Sequence, residues 1–299
     1  AVDDRTGGIA AALPGGAVAW HRQALSGAAA TVAPPEGPYD GAVIRLPKGR
    51  EAFRLVLHQV VAVLKPDAPL VVAGANDEGI RPVEKRVLEL TEEARVLATR
   101  RHSRVILGTG RTTTPKPDLG DWAQHTTATV SDIELTLTSY PGLFAHGRLD
   151  AGTAALLAVL PELSGPVLDF ACGAGPVGQF LRRRGDDVTL TLSDVDPLAL
   201  HAAKDAVPDA TFVLADGMPP SGGPWKTIVS NPPLHLGKDE QRSVLASLAE
   251  VAPGRLKRKG SLIVVVPGTV PAGRWLQPAF PKVQRIAHDA SYGVWVASR

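Results

Sequence analysis

The chain has 299 residues, of which 44% are hydrophobic and 21% charged, and its 32 basic against 30 acidic side chains leave a net charge of +2. Such a chain buries sizeable cores, and its length favours two domains over one. Neither half is strongly basic (16 basic and 14 acidic residues before Gln124, 16 and 16 from there on), so bulk charge excludes a generic nucleic-acid binder and leaves RNA contact to a local patch.

The run Ala33-Pro34-Pro35-Glu36-Gly37-Pro38 reads as a short loop. Tyr39 to Pro47 reads as a strand entering a proline turn, Glu51 to Leu64 as an amphipathic helix, and Leu70 to Gly74 as a second strand. Gly108 to Asp121, rich in Thr, Pro and Gly, is the best linker candidate. It sets a first domain at 1–115 and a second at 122–299.

In the second domain strands and helices alternate. Pro166–Phe170, Val188–Ser193, Thr211–Leu214, Thr227–Ser230 and Leu262–Val266 read as strands, with Val283–Ala287 and Gly293–Ala297 as the last two. Pro176–Arg184, Pro197–Ala206 and Glu240–Val251 read as helices. The rhythm predicts an α/β fold with a seven-stranded, mostly parallel sheet covered on both faces. Strand, proline turn, helix, strand and glycine recur in both halves. That pattern suggests a diverged internal duplication, although any two α/β halves share some of it.

Four strand tips carry the chemistry. Val167-Leu168-Asp169-Phe170-Ala171-Cys172-Gly173-Ala174-Gly175 runs from an apolar strand through an acid into a glycine turn. Gly173 and Gly175 permit positive φ and close approach of a ligand, and Pro176 suits the first helical turn. The next strand ends in Asp194, placed to accept from ribose hydroxyls, while Asp196 is the better helix cap. Asp216, at the third tip, either meets an adenine amine or is a turn residue. An acid beside the turn repels a pyrophosphate but favours a cofactor bearing an ammonium and a sulfonium.

Ser230-Asn231-Pro232-Pro233-Leu234-His235-Leu236-Gly237 ends a fourth strand. An exocyclic amine on a base is a weak nucleophile because its lone pair is delocalised. An Asn oxygen and the Pro232 carbonyl can accept both amine hydrogens and favour a pyramidal nitrogen. The two prolines stiffen that turn.

These residues resemble the class I methyltransferases with an Asn-Pro-Pro motif. Within them, Pro141 to Thr153 (PGLFAHGRLDAGT) and the Asn-Pro-Pro-x-His-x-Gly run are similar to the ribosomal RNA guanine-N2 methyltransferases of the small subunit. The resemblance is strong from Tyr140 onward and weaker before it. It implies two tandem Rossmann-like methyltransferase domains, the second binding S-adenosylmethionine and the first, degenerate, binding none. It further implies a cofactor site of Asp169, Ala171, Gly173, Gly175, Asp194, Val195, Asp216, Gly217, Asn231 and Asp150. Asn231, Pro232 and Pro233 would be catalytic, and Leu234 and His235 would face the substrate base, although His235 serves equally as a packing residue.

Ala171 stands where relatives often have glycine, and Leu234 where many have Phe or Tyr, which removes a base-stacking partner. The first domain, matched with Arg45-Leu46-Pro47-Lys48 against Asn231 to Leu234, has no Asn. It serves either as a structural partner or as an RNA-positioning element through Arg45, Lys48, Arg50 and Arg54 with Arg100, Arg101 and Arg104. Arg255-Leu256-Lys257-Arg258-Lys259 is a further basic patch, read as a loop before a strand.

The expected activity is methylation of a guanine N2 amine in 16S ribosomal RNA. The alternatives are a protein glutamine amide or a small molecule as acceptor, or a non-catalytic binding protein. The partner is ribosomal RNA or the small subunit, the protein a monomer. The single Cys172 suits a reducing cytoplasm, and no ligand set for a metal is expected. Apolar runs are too short to span a membrane, residues 1–8 lack a secretory pattern, and the absence of Met at position 1 points to a native start upstream.

Overall fold

A computed structural model describes residues 1–4, 7–13, 15–233 and 238–299. The chain forms two compact units, one of residues 1–123 with 140–143 and one of residues 124–139 with 144–299.

The first unit carries a four-stranded sheet of β1 (Ala42–Arg45), β2 (Leu70–Ala75), β3 (Thr91–Arg100) and β4 (Ser103–Arg111), in the order β1-β2-β4-β3. Its helices are α1 (Gly8–Ala12), α2 (Arg50–Ala62) and α3 (Val83–Val87). β1 and β2 are parallel, and β4 is antiparallel to both of its neighbours. Phe53, Val56, Leu57 and Val60 of α2 bury against Ile44, Val72 and Ile106, as the sequence periodicity requires. The expected linker is shorter than 108–121, because Gly108 to Arg111 complete β4. Gly108 is a strand residue for a packing reason, since a Cβ there would stand 2.5 Å from the Val87 side chain.

The second unit begins with a hairpin, β5 (Gln124–Val130) and β6 (Ile133–Ser139), followed by α4 (Ala151–Val159). Then come β7 (Ser164–Phe170), α5 (Pro176–Arg184), β8 (Asp187–Asp194), α6 (Pro197–Ala206), β9 (Thr211–Leu214) and β10 (Trp225–Ser230). The chain finishes with α7 (Lys238–Arg255), β11 (Leu256–Pro267), α8 (Ala272–Leu276), β12 (Lys282–His288) and β13 (Tyr292–Ser298). Seven strands form one sheet in the order β12-β13-β11-β10-β7-β8-β9, with β13 antiparallel to its neighbours and the other pairings parallel.

The expected seven-stranded sheet is therefore present. Successive residues of β11 feed opposite cores: Ile263 and Val265 pack with α4, α5 and α6, Leu262, Val264 and Val266 with α7 and α8. Burial on both faces explains its unbroken apolar run. The hairpin was not among the expected elements. It docks on α5 through Gln179, whose amide accepts from Thr136 N at 2.8 Å and donates to Thr136 O at 2.9 Å.

The basic run from Arg255 is a correction: Arg255 ends α7, and Leu256 to Lys259 begin β11 rather than forming a loop before it. Trp225 pairs with Leu256 but Thr227 with Ser261, so the extra residues bulge out.

The suspected duplication has a topological counterpart. β1-β2-β4-β3 reproduces the order and directions of β10-β11-β13-β12, and β3 and β12 each carry one register shift, between Val96 and Ala98 and between Arg285 and Ala287. Counting from the strand ends, Leu46 stands where Asn231 does, one place later than the sequence match with Arg45. The described sheet of the first unit has no counterpart of β7, β8 or β9.

Candidate active site

From β7 the chain winds outward through β8 to β9 and then returns to β10 on the other flank of β7. At such a switch point the connections leave in opposite directions and open a crevice at the carboxyl ends of the strands. Val229 pairs with Asp169 and Ser230 with Phe170, so Ala171 and Asn231 leave adjacent strand tips side by side. The Ser230 hydroxyl donates to Phe170 O at 2.8 Å and ties the two tips together.

The turn after β7 is held by backbone bonds, Cys172 N to Ser193 O and Gly175 N to Cys172 O, each 3.0 Å. Ala171 (φ +57), Gly173 (φ +53) and Gly175 (φ +80) are all left-handed. A Cβ on Gly173 would meet nothing within 4 Å, whereas one on Gly175 would press on Ala203 at 3.1 Å. Gly173 thus borders open space, and Gly175 lets α5 approach α6.

Asp194 shapes this turn. One of its carboxylate oxygens accepts from Gly173 N at 2.9 Å and the other from Asp196 N at 3.0 Å. Asp196 caps α6 by accepting from Leu198 N at 2.8 Å, as the sequence suggested. Asp169 lies beneath the turn, 1% exposed, and its Oδ2 has no hydrogen-bond partner. Burial, then the neighbouring Asp194 charge, push its carboxyl up to about 7. Burial also raises Asp194 above its usual range, against the amides that favour its charged form.

The cleft over the turn is lined by Ala171, Cys172, Gly173, Asp150, Thr153 and Asn231, with Phe144 and Arg148 at its side. Its volume is about 50 Å³. Asp150 caps α4, its Oδ2 accepting from Thr153 N at 2.9 Å. The same oxygen accepts from Asn231 Nδ2 at 2.8 Å, and Thr153 Oγ1 accepts from Nδ2 at 2.9 Å. A carboxylate can only accept. The Asn231 amide nitrogen therefore faces α4, and its Oδ1 is turned away from these two acceptors.

Of the residues expected at the site, Asp150, Ala171, Gly173 and Asn231 come together in the cleft. Pro232 is buried and Pro233 exposed beside them. Asp194, Val195, Asp216 and Gly217 lie outside that lining, at the tips of β8 and β9, which are joined by Ala215 N to Asp194 O at 3.0 Å. Leu234 and His235 lie outside the described residues. Thr153 was missed as a site residue, although Asp150 before an apolar run is an N-cap signal that places Thr153 in the first turn of the helix. Among the described residues no group of His, Cys, Asp and Glu could hold a metal ion, and no helix is long and apolar enough to cross a membrane.

The strand order, the glycine turn at the switch point and the amide beside it define a methyltransferase fold of the α/β class. The methyltransferase small domain model matches residues 134–296 and its N-terminal companion matches residues 19–126. The chain belongs to the methyltransferase small-domain family. It is similar to proteins named ribosomal RNA small subunit methyltransferase C. With that of Pseudoalteromonas atlantica it shares 30% identity over 270 residues (88% of this chain, 78% of the relative). With that of Stutzerimonas stutzeri it shares 36% over 239 residues (78% and 71%). Its fold matches that of a T. thermophilus 16S rRNA N2 guanine methyltransferase solved with AdoMet and guanosine. The TM-score is 0.82 at 22% identity, covering 94% of this chain and 81% of the other.

Proposed function

We propose that the protein is an S-adenosylmethionine-dependent N-methyltransferase acting on the N2 amine of a guanine in small-subunit (16S) ribosomal RNA. The observation that carries this reading is the fixed Asn231 amide. Its nitrogen is committed to Asp150 and Thr153, so Oδ1 is the atom presented to an acceptor. An amide oxygen so presented accepts a hydrogen from an exocyclic amine and holds the nitrogen lone pair out of conjugation. The names of the relatives support ribosomal RNA as the substrate class.

The turn suits the cofactor. Gly173 opens the space beside the backbone, and a buried carboxylate oxygen without a partner, Asp169 Oδ2, lies beneath it. Such an orphan is satisfied by a donor from a ligand or its water. When bound, S-adenosylmethionine supplies an electrophilic methyl on a sulfonium. Asp169 and the turn Ala171 to Gly175 would hold its amino-acid end, Asp194 and Val195 its ribose, Asp216 and Gly217 its adenine. The chain's own part is positioning: Asn231 with Pro232 and Pro233 orients the amine. We place the protein in the cytoplasm, acting as a monomer without a metal.

Tritium transfer from labelled cofactor onto small ribosomal subunits, naked ribosomal RNA and protein fractions, followed by nucleoside analysis, tests this. Label in N2-methylguanosine is expected. Label only in protein, or none in any fraction, would overturn it.

A further inference from the structure

Three basic clusters stand out in the sequence, and the structure separates them. On α2, Arg50 pairs with Glu51 and Arg54 with Glu51 and Glu89, while Arg45 pairs with Glu78. That cluster is largely neutralised. In the run at 255–259, one guanidinium nitrogen of Arg255 donates to the carbonyls of Pro219, Ser221 and Gly222, and the group lies over Trp225. Lys257, Arg258 and Lys259 are exposed, but they sit beside Trp225, at the amino end of β10. Asn231 is just past the other end, about 20 Å away at 3.3 Å per residue. These cations face the wrong pole of the sheet.

The third cluster is the tip of the β3–β4 hairpin, Arg100, Arg101, His102 and Arg104. Among the described residues none of the four has a carboxylate within ion-pair distance. Arg101 (φ +46) and His102 (φ +62) are the two turn residues, both left-handed and both exposed. A two-residue hairpin turn of this kind is most stable with Asn-Gly, and bulky side chains there are strained. The fold does not require cations at this place. The equivalent turn between β12 and β13 carries Asp289, whose carboxylate accepts from Ser291 N and Tyr292 N.

The tip also lies at a telling end of its sheet. Ala75, the last residue of β2, pairs with Ser103, and Asn76 N donates to His102 O at 2.7 Å. The cations therefore stand at the carboxyl ends of the parallel strands β1 and β2, the pole at which α/β sheets bind ligands. In the second unit's sheet, the equivalent pole carries Asn231.

We infer that the β3–β4 hairpin tip is a docking site for the phosphodiester backbone of the substrate RNA, with Arg100, Arg101, His102 and Arg104 as its contacts. The inference rests on the proposed RNA substrate. Backbone strain at Arg101 and His102 is tolerated because the tip presents two side chains outward that Asn-Gly could not supply. Neutralised phosphates release counterions, so binding should fall steeply with salt.

The full chain carrying Arg101→Asn and His102→Gly tests it against transcribed small-subunit ribosomal RNA. The substitution supplies the favoured turn, so the melting temperature should hold or rise, and cofactor affinity by calorimetry should stay the same. RNA affinity should fall roughly tenfold, and the slope of log K against log salt should lose roughly 1 for the Arg101 charge. Lys257→Ser with Arg258→Ser should leave both unchanged. An unaltered slope in the hairpin variant, or an equal loss in the Lys257 variant, overturns the inference alone. Failure of the unaltered protein to bind or methylate any RNA overturns the proposed function with it.

Discussion

Replacing Asp150 by Asn tests whether the orientation of one amide controls transfer. Asn keeps the α4 cap, because its oxygen can still accept from Thr153 N, so melting should change little. What it removes is the negative charge that accepts from Asn231 Nδ2 at 2.8 Å. A hydrogen bond to a charged group contributes about 1.5–3 kcal/mol and a neutral one about 0.5–1.5. The loss is about 1–1.5 kcal/mol, roughly tenfold in kcat. The effect should stay below that of Asn231→Ala, in which removing the preorganised acceptor should cost about 10²–10³. The assay is tritium transfer at saturating cofactor and RNA, with cofactor Kd measured by calorimetry. In an Asn231→Ala background the Asp150→Asn change should have no further effect on kcat, since the two act as one unit. A full, independent effect in that background, or a loss explained entirely by weaker cofactor binding, would refute the reasoning.

Thr153→Val should lower kcat about tenfold at nearly constant cofactor Kd, because it deletes the second acceptor of Asn231 while keeping the buried shape. Gly173→Ala should lower the melting temperature through its left-handed backbone (φ +53), a cost of about 1 kcal/mol, and weaken cofactor binding measured by calorimetry. Asp169 predicts a pH effect. Its folded pKa of about 7 lies above the ordinary 3.8, so the folded chain holds a proton that the unfolded chain releases between those values. Its contribution is therefore favourable below about 4 and becomes a destabilisation of up to about 4 kcal/mol as pH rises through 7. Asp169→Asn should raise the melting temperature of the cofactor-free protein at pH 8 more than at pH 5, while weakening cofactor binding at both; equal shifts at the two pH values would count against it.

The elements of the second unit were legible because their signals are local. Pro176 and Gly185 bound α5, Asp196 and Pro197 start α6, and strands buried on both faces are continuous apolar runs. The β5–β6 hairpin was not. Its strands alternate threonine with small and aliphatic residues and turn on Ser131-Asp132, a weaker signal than Asn-Gly. The basic run at 255–259 reads as a loop because of its charge, whereas a bulge accommodates exposed cations inside a strand. Tyr140 to Leu143 group with the first unit although the sequence joins them to the second, which only long-range contacts decide.

By itself the sequence determined the strand-helix alternation, the glycine turn and the acids and amide at the strand tips, because caps, periodicity and turn residues act over a few neighbours. Only the tertiary structure decided that Asp169 is buried beneath the turn, that Asp194 holds the turn it follows, and that Asp150 and Thr153 meet Asn231. Asp150 and Asn231 are 81 residues apart in the chain. A hydrogen bond at that separation depends on the packing of α4 against the sheet, and no local pattern encodes which way an amide faces.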